Sequence, residues 1–264
     1  EASLGVDIIR NENFTWNLSA NIATVKNRVE ELAKDGTGAD VDPTAGSEHK
    51  QTKVGETYAY WYMPTWAGVN VTTGLPEWYD KEGKKTSDYN LAERRFQGIA
   101  IPKYSGGLST HLQYKGVFLD ASVYFTGGHK VYEEYSRFYL RTNSFVTVNY
   151  NGDAELLNAW QKAGDVTDVP KMSYSGNDNF HSVSSRHLYD GTFARLKDIT
   201  LGYEVPSKYL EGTGFDGVTF TVRGTNLYTW VKDSGLKLDP EVGNKNNRMG
   251  YTTLTTPPVK SVVF

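Results

Sequence analysis

The sequence predicts an all-β fold of about seven antiparallel strands, joined by alternately short and very long connections. Three observations predict it. Aromatic residues make up 13% of the chain, 18 of them Tyr, 11 Phe and 6 Trp, a composition that suits a pleated, half-buried surface. Polar and apolar residues alternate with period two in several runs, and only a strand separates such sets onto two faces. The turn signals between those runs are unevenly spaced, so the connections fall into two classes.

The elements follow in order. Leu4, Val6 and Ile8 alternate with Gly5 and Asp7 and lead into an Arg10–Asn13 turn. Phe14, Trp16, Leu18, Ala20 and Ile22 then lie opposite Thr15, Asn17, Ser19 and Asn21, the clearest strand of the chain. Over 24–32 the pattern is ambiguous. Val25, Val29 and Leu32 fall at helical spacing, yet the segment reads better as the end of the preceding strand than as a short helix. A long polar segment extends to residue 107, punctuated by Asp35-Gly36 and Asp42-Pro43. Leu108, Leu112 and Tyr114 alternate with Ser109, His111 and Gln113. After Lys115 and Gly116, a tight turn, Val117, Leu119, Ala121, Val123 and Phe125 share a face. The second long segment, 126–192, holds a helix-like run over 154–160 and a Ser/Gly/Asn loop over 175–179. Ile199–Val205 and Val218–Gly224 are joined through 206–217, with room for one helical turn. A third loop-like stretch covers 229–258, and 259–264 begins a seventh strand.

Composition narrows the function classes. With 28 Lys+Arg against 31 Asp+Glu, the net charge of -3 supplies no global field for nucleic acid. There is no Cys, hence no disulfide framework or thiolate nucleophile. Mean hydropathy is -0.53 and no apolar run is long enough for a membrane helix. Glu1 opens directly into a strand pattern, and Val259–Phe264 stops within one. Both ends therefore read as cut from a longer chain, with 1–264 a single portion of it; Phe264 is expected to lie inside a last strand, or else to be a native terminal aromatic.

Spacing alone fits two architectures. A soluble β-sandwich alternates because one face of each sheet is core. In this chain, however, the polar faces are mainly Thr, Ser, Asn and Gln. Aromatics gather at strand ends beside turns: Phe14 and Trp16 near Asn13, Tyr114 near Lys115, and Tyr203 near Pro206. That placement matches the girdle of a membrane barrel, which also has short turns on one side and long loops on the other. With 10–13, 115–116 and 206–217 as the short turns, every long segment falls on the opposite side. Seven strands of about ten residues leave most of the chain in loops, more than a compact soluble domain carries.

Several segments carry a resemblance. DGTFARLKDITLGYEVP over 190–206, VRGTNLYTW over 222–230 and LDPEV over 238–242 are similar to ordered segments of SusC/RagA-family TonB-dependent transporters. So are PKYSGGL over 102–108, YKGVFL over 114–119, and YWY, AGV and TGLPEWY within 60–79. Together these pieces span nearly the whole chain. The resemblance implies a portion of a barrel of about 22 strands with a plug in its lumen, set in the outer membrane of a Gram-negative bacterium. It implies the C-terminal part, about seven strands, without the plug or the TonB-contacting region. It also implies import of an oligosaccharide or peptide cargo, with a SusD-like surface lipoprotein, the TonB complex and outer-membrane lipid as partners. The alternative is a secreted or surface-bound glycan-binding β-sandwich without transport activity.

No enzyme constellation is evident. His49, His111, His129, His181 and His187 show neither HxH nor HExxH spacing, and no GxSxG elbow accompanies them. His111, on a polar strand face, reads as a solvated lumen residue. Asp40 with Asp42 and Asp165 with Asp168 lack the full set of oxygens that calcium needs. Neither catalytic residues, metal nor cofactor are expected. The candidates for contact with ligand or partner are aromatics in the long segments: Trp61, Trp66, Trp78, Tyr79 and Trp160. Their ring faces suit stacking on sugars or anchoring a protein, and packing of loop against loop is the competing role. Arg195 and Lys197 follow the apolar phase of their strand, which requires that this part stand above the hydrocarbon or face a partner.

Overall fold

The computed structural model describes residues 1–137, 151–172, 179–241, 249–252 and 256–264. Residues 173–178 and Val242, in loops read from the sequence, lie outside the described residues. β1 (Ala2–Arg10) and β2 (Phe14–Thr24) form the expected hairpin, closed by Asn11, whose side-chain oxygen accepts from the Asn13 and Phe14 amides. β2 stops at Thr24, and residues 25–33 are neither strand nor helix. Both readings of 24–32 are thereby corrected: the Val25 amide donates to the Lys103 carbonyl and Val29 pairs with 55 and 56. Those bonds to distant loop segments override the local pattern.

The first long segment carries six short strands: β3 (Lys50–Gln51), β4 (Tyr60–Pro64), β5 (Trp66–Val69), β6 (Pro76–Tyr79), β7 (Lys85–Thr86) and β8 (Arg94–Gly98). They form two small sheets, β3-β4-β8 and β5-β6-β7. β9 (Tyr104–Tyr114) and β10 (Val117–Gly127) follow, joined by Lys115 and Gly116 at φ 47° and 88°, the paired left-handed conformation of a tight hairpin turn. The second long segment holds β11 (Lys130–Tyr132), a 3₁₀ turn at Ala154–Asn158 within the helix-like run 154–160, and β12 (Leu188–Asp190). β13 (Phe193–Glu204) and β14 (Thr219–Val231) flank the one-turn 3₁₀ segment Ser207–Tyr209, and β15 (Ser261–Val263) closes the series.

Seven strands build one antiparallel sheet in the order β1-β2-β9-β10-β13-β14-β15. β1 and β15 each have one edge without a strand neighbour among the described residues. The short turns all lie at one end and the three long segments at the other.

Register assigns the two faces. Along one face run Phe14, Tyr114, Val117, Tyr203 and Phe220, then Trp16, Leu112, Leu119, Leu201 and Val222. Farther from the turns come Leu108, Val123, Leu196 and Tyr228, then Phe125, Ala194 and Trp230, and last Tyr104. Aliphatic rows thus lie between an aromatic row at each end. Tyr114 and Tyr104 bound the belt on β9. Their ten-residue separation is about 33 Å along a strand, or about 25 Å across a bilayer at a tilt near 40°. Thr110 interrupts the apolar face, but its hydroxyl accepts from Trp16 Nε1 at 3.1 Å and donates to the Asn17 carbonyl. The opposite face is polar: His111 meets Asp120 at 2.7 Å, and Arg223 meets Asp198 at 2.6 Å.

A bulge corrects the placement of Arg195. Between Leu196 and Asp198 the register shifts, and against β10 Lys197 is the extra residue. Because side chains alternate, one extra residue moves everything beyond it to the other face. Ile199 and Leu201 therefore share the apolar face with Leu196 and Ala194, while Arg195 joins Tyr124 on the polar face. There Arg195 is 2% exposed and bound to Asp239 at 2.6 Å.

The apolar side chains of the sheet remain largely uncovered, Leu4 being 70% exposed. Buried packing is instead concentrated in the long segments. Trp61, Met63, Ala100, Tyr132, Val183 and Leu188 form one cluster, completed by Met249 and Tyr251. Ala159, Val169 and Phe180 form a second, smaller one. All three long segments contribute to the first, so the loops make a folded layer over one end of the wall. Among the described residues no second sheet packs on the wall, against the sandwich alternative.

Candidate functional site

Two chemical surfaces compose the loop layer: an aromatic cluster and a charged cleft. The aromatic cluster begins at β5 and β6, where Trp66 opposes Trp78 in register and the rings lie 5.9 Å apart, edge to face. Tyr89 extends it, 5.0 Å from Trp78, and donates its hydroxyl to the Val183 carbonyl. Burial pushes the Tyr89 phenol up to about 12, so it stays a donor at neutral pH. The guanidinium of Arg186 lies over both Trp66 and Phe180, and pairs with Glu155 at 3.0 Å.

The five aromatics singled out from the sequence occupy different places. Trp61 and Trp78 are 0% exposed. Trp61 belongs to the larger loop core, where its Nε1 donates to the Lys130 carbonyl, and Trp78 supports Trp66 and Tyr89. Both rings pack loops together, the competing role. Trp66, Tyr79 and Trp160 are part-exposed. Trp66 Nε1 donates to Asp168 at 2.7 Å. Trp160 donates to the Val71 carbonyl and lies against Gly74, where an added Cβ would come within 2.4 Å of the indole. The structure groups Trp66 with Trp78, and holds Trp160 on the β5–β6 connection.

Beside the cluster opens a cleft of about 450 Å³, lined by Glu48, Tyr89, Arg94, Arg137, His181 and Val183 among others, a size common for small-ligand sites. Glu134, behind the lining residue Arg137, holds that arginine in place. Its carboxylate takes two hydrogen bonds from Arg137, at 2.7 and 3.1 Å, and meets His49 Nε2 at 3.0 Å. Burial pushes that carboxyl up, but the bonds from His49 and Arg137 prevail and hold it at about 2. Arg137 also donates to the His181 carbonyl, and Arg94 to the Tyr62 and Ser47 carbonyls. These arginines are fixed in place by carbonyls and a carboxylate before any ligand arrives. Next to them Lys50 is 2% exposed, set over the Trp61 ring at 4.4 Å, and donates to the Met249 carbonyl. Burial pushes its ammonium down to about 7.

This arrangement can stack rings and bind polar or anionic groups. No group of three or more potential metal ligands occurs among the described residues. Sequence reasoning did not single out Tyr89, Arg94, Arg137 or Glu134, because the cleft joins residues far apart in the chain. A weak signal existed for the bulge: apolar residues move from even positions (Ala194, Leu196) to odd ones (Ile199, Leu201) across the charged Lys197-Asp198 pair.

A single-layer sheet with an apolar belt on one face, a polar face behind it and a folded loop layer at one end defines a class: the wall of a large membrane barrel. Comparisons with known proteins carry the identification further. No family model matches the chain. It is 28% identical to TonB-dependent receptor P3 of Formosa agariphila over 96% of its length. Along its whole length it is 28% identical to TonB-dependent receptor P26 of the same organism. The RagAB peptide transporter matches 98% of the chain with a TM-score of 0.78 at 26% identity. In its closed-closed state the RagAB peptide importer matches with a TM-score of 0.80 at 25% identity. The chain spans about a quarter of these proteins, 26% and 28% of the two receptors and 28% of each RagAB chain. Along nearly its whole length the chain is thus similar to one stretch of TonB-dependent receptors and of RagAB, as a portion of the wall of an outer-membrane barrel would be.

Proposed function

We propose that the complete protein imports a bulky nutrient, an oligosaccharide or peptide, across the outer membrane with energy delivered through TonB. The observation that carries this reading is the seven-stranded wall with its loop layer, which matches RagAB over 98% of the chain. This portion supplies the C-terminal strands of the barrel, and the plug and the TonB-contacting region belong to the rest of the protein. A SusD-like surface lipoprotein caps the loop end. Trp66, Tyr79 and Trp160 are the contact residues of the loop layer for cargo or for that lipoprotein, while Trp61 and Trp78 hold the layer in shape. The protein has no catalytic role.

The test is made with the full-length gene in its host. Deletion should abolish uptake of labelled oligosaccharide or peptide, and re-expression should restore it. An affinity-tagged receptor should bring down a lipoprotein encoded beside it. Uptake that persists equally with and without the gene across both cargo classes would defeat the proposal.

A further inference from the structure

We propose that a groove on the outward face, just beyond the loop-side aromatic row, binds a phosphate-bearing lipid of the surrounding leaflet. Tyr104, Thr192 and Lys232 continue the outward rows of β9, β13 and β14. They share one hollow of about 440 Å³ with Phe96, Ile99 and Lys103. A second hollow of about 430 Å³ adjoins it, sharing Phe96, Ile99 and Lys103 and adding Val25, Ile101 and Lys26. The floor is apolar and continuous with the belt: Phe96 is 55% exposed, with Ile99 and Ile101 beside it.

The rim is basic. Lys26, Lys103 and Lys130 surround the two hollows, and none of the three has a carboxylate partner among the described residues. Lys232 differs, being paired with Asp190 at 2.7 Å. Two glycines let the lysine stems lie close to the backbone. An added Cβ at Gly128 would come within 2.9 Å of Lys103, and one at Gly98 within 3.3 Å of Lys130. His129 also lines the groove; it is 6% exposed, and its Nδ1 has no hydrogen-bond partner.

Charge and position select the occupant. Unpaired ammonium groups at the depth where the hydrocarbon ends meet the headgroup layer, where each basic residue adds favourable interaction with anionic lipid. Acyl chains can then lie along Phe96, Ile99 and the belt below. Further barrel strands would not compete for this place, because they would join at β1 and β15, whereas the groove lies over β2, β9, β10, β13 and the end of β14. The inference rests on the outward face being lipid-facing and not on the cargo or the partner.

The experiment uses the full-length receptor in detergent micelles doped with lipid A carrying both phosphates, or with dephosphorylated lipid A. Retained lipid is read by native mass spectrometry. The combined variant Lys26→Ala/Lys103→Ala/Lys130→Ala should retain about a hundredfold less of the phosphorylated lipid, and wild type should hold the dephosphorylated form no better than the variant does. Phe96→Ala, which leaves the lysines in place, should also weaken retention, and heat-modifiable gel mobility verifies that each variant is folded. Equal retention by wild type and the triple variant overturns the proposal, as does indifference to the phosphates. Displacement of the lipid by millimolar inorganic phosphate alone would assign the groove to a soluble anion instead and also overturn it. Uptake is scored separately, so a failed transport reading and an empty groove remain distinguishable.

Discussion

Replacing Arg195 with Met should release the 232–241 segment from the barrel wall. Arg195 is almost fully buried, with Nη2 at 2.6 Å from Asp239 and Nε at 3.5 Å from Glu241. Opposite charges about 4 Å apart interact by about 4 kcal/mol at an effective dielectric near 20. Desolvation offsets part of that, yet removing one partner of a buried pair costs about 3–5 kcal/mol because the other charge is stranded. Lys197 stays beside Glu241 at 3.1 Å and compensates there, so the lower end of that range, about 3 kcal/mol, applies. Native-state hydrogen exchange on the full-length receptor is the assay. Amides around Asp239 should lose about a hundredfold in protection, while those of Lys237 and Leu238, bound to the Glu133 carboxylate at 2.9 and 3.1 Å, should lose less. Adding Asp239→Leu to the Met variant should recover much of the loss, since no buried charge is then left unpaired. Unchanged protection at 239–241 in the single variant would refute the assignment of Arg195 to the polar face. So would simple addition of the two single losses.

The Glu134 carboxyl, held at about 2 against 4.5 in the unfolded chain, contributes stability that is fully present above pH 4.5 and lost as the pH falls toward 2. The shift corresponds to about 3 kcal/mol at most, so opening of the loop layer followed by exchange should steepen across that window, and Glu134→Gln should remove the dependence. Lys50 works in the other direction: its folded value of about 7 lies below 10.5, so the unfolded state binds more protons between those values and stability rises with pH there. Lys50→Met should flatten a slope of no more than about 1.4 kcal/mol per pH unit, measured by the same exchange. Gly202→Val should impair barrel assembly, because a Cβ there would meet the Phe118 ring at 2.1 Å; overpacking costs about 1–3 kcal/mol, and a normal yield of heat-modifiable, folded protein would contradict the close approach.

Most of the wall was legible in the residues. Period-two alternation from Phe14 to Ile22 and from Val117 to Phe125 identifies strands because a strand has a strict two-sided geometry. The Lys115-Gly116 pair marks its turn because two successive left-handed residues tolerate little else. The parity of short and long connections then places all the loops at one end. Tertiary structure decided what depends on contacts between distant segments. Thr24 ends β2 although the local pattern continues, because residues 25–33 bond to 55–56 and 103 instead. Trp61 and Trp78 look like Trp66 and Trp160 in sequence, yet burial among three loop segments separates the two that build the layer from the two that reach its surface. The bulge at Lys197 turns Arg195 from a charge set against lipid into a buried tether for the loop that carries Asp239. Alternation specifies which residues share a face only while the register is unbroken; where it breaks, the partner across the sheet decides.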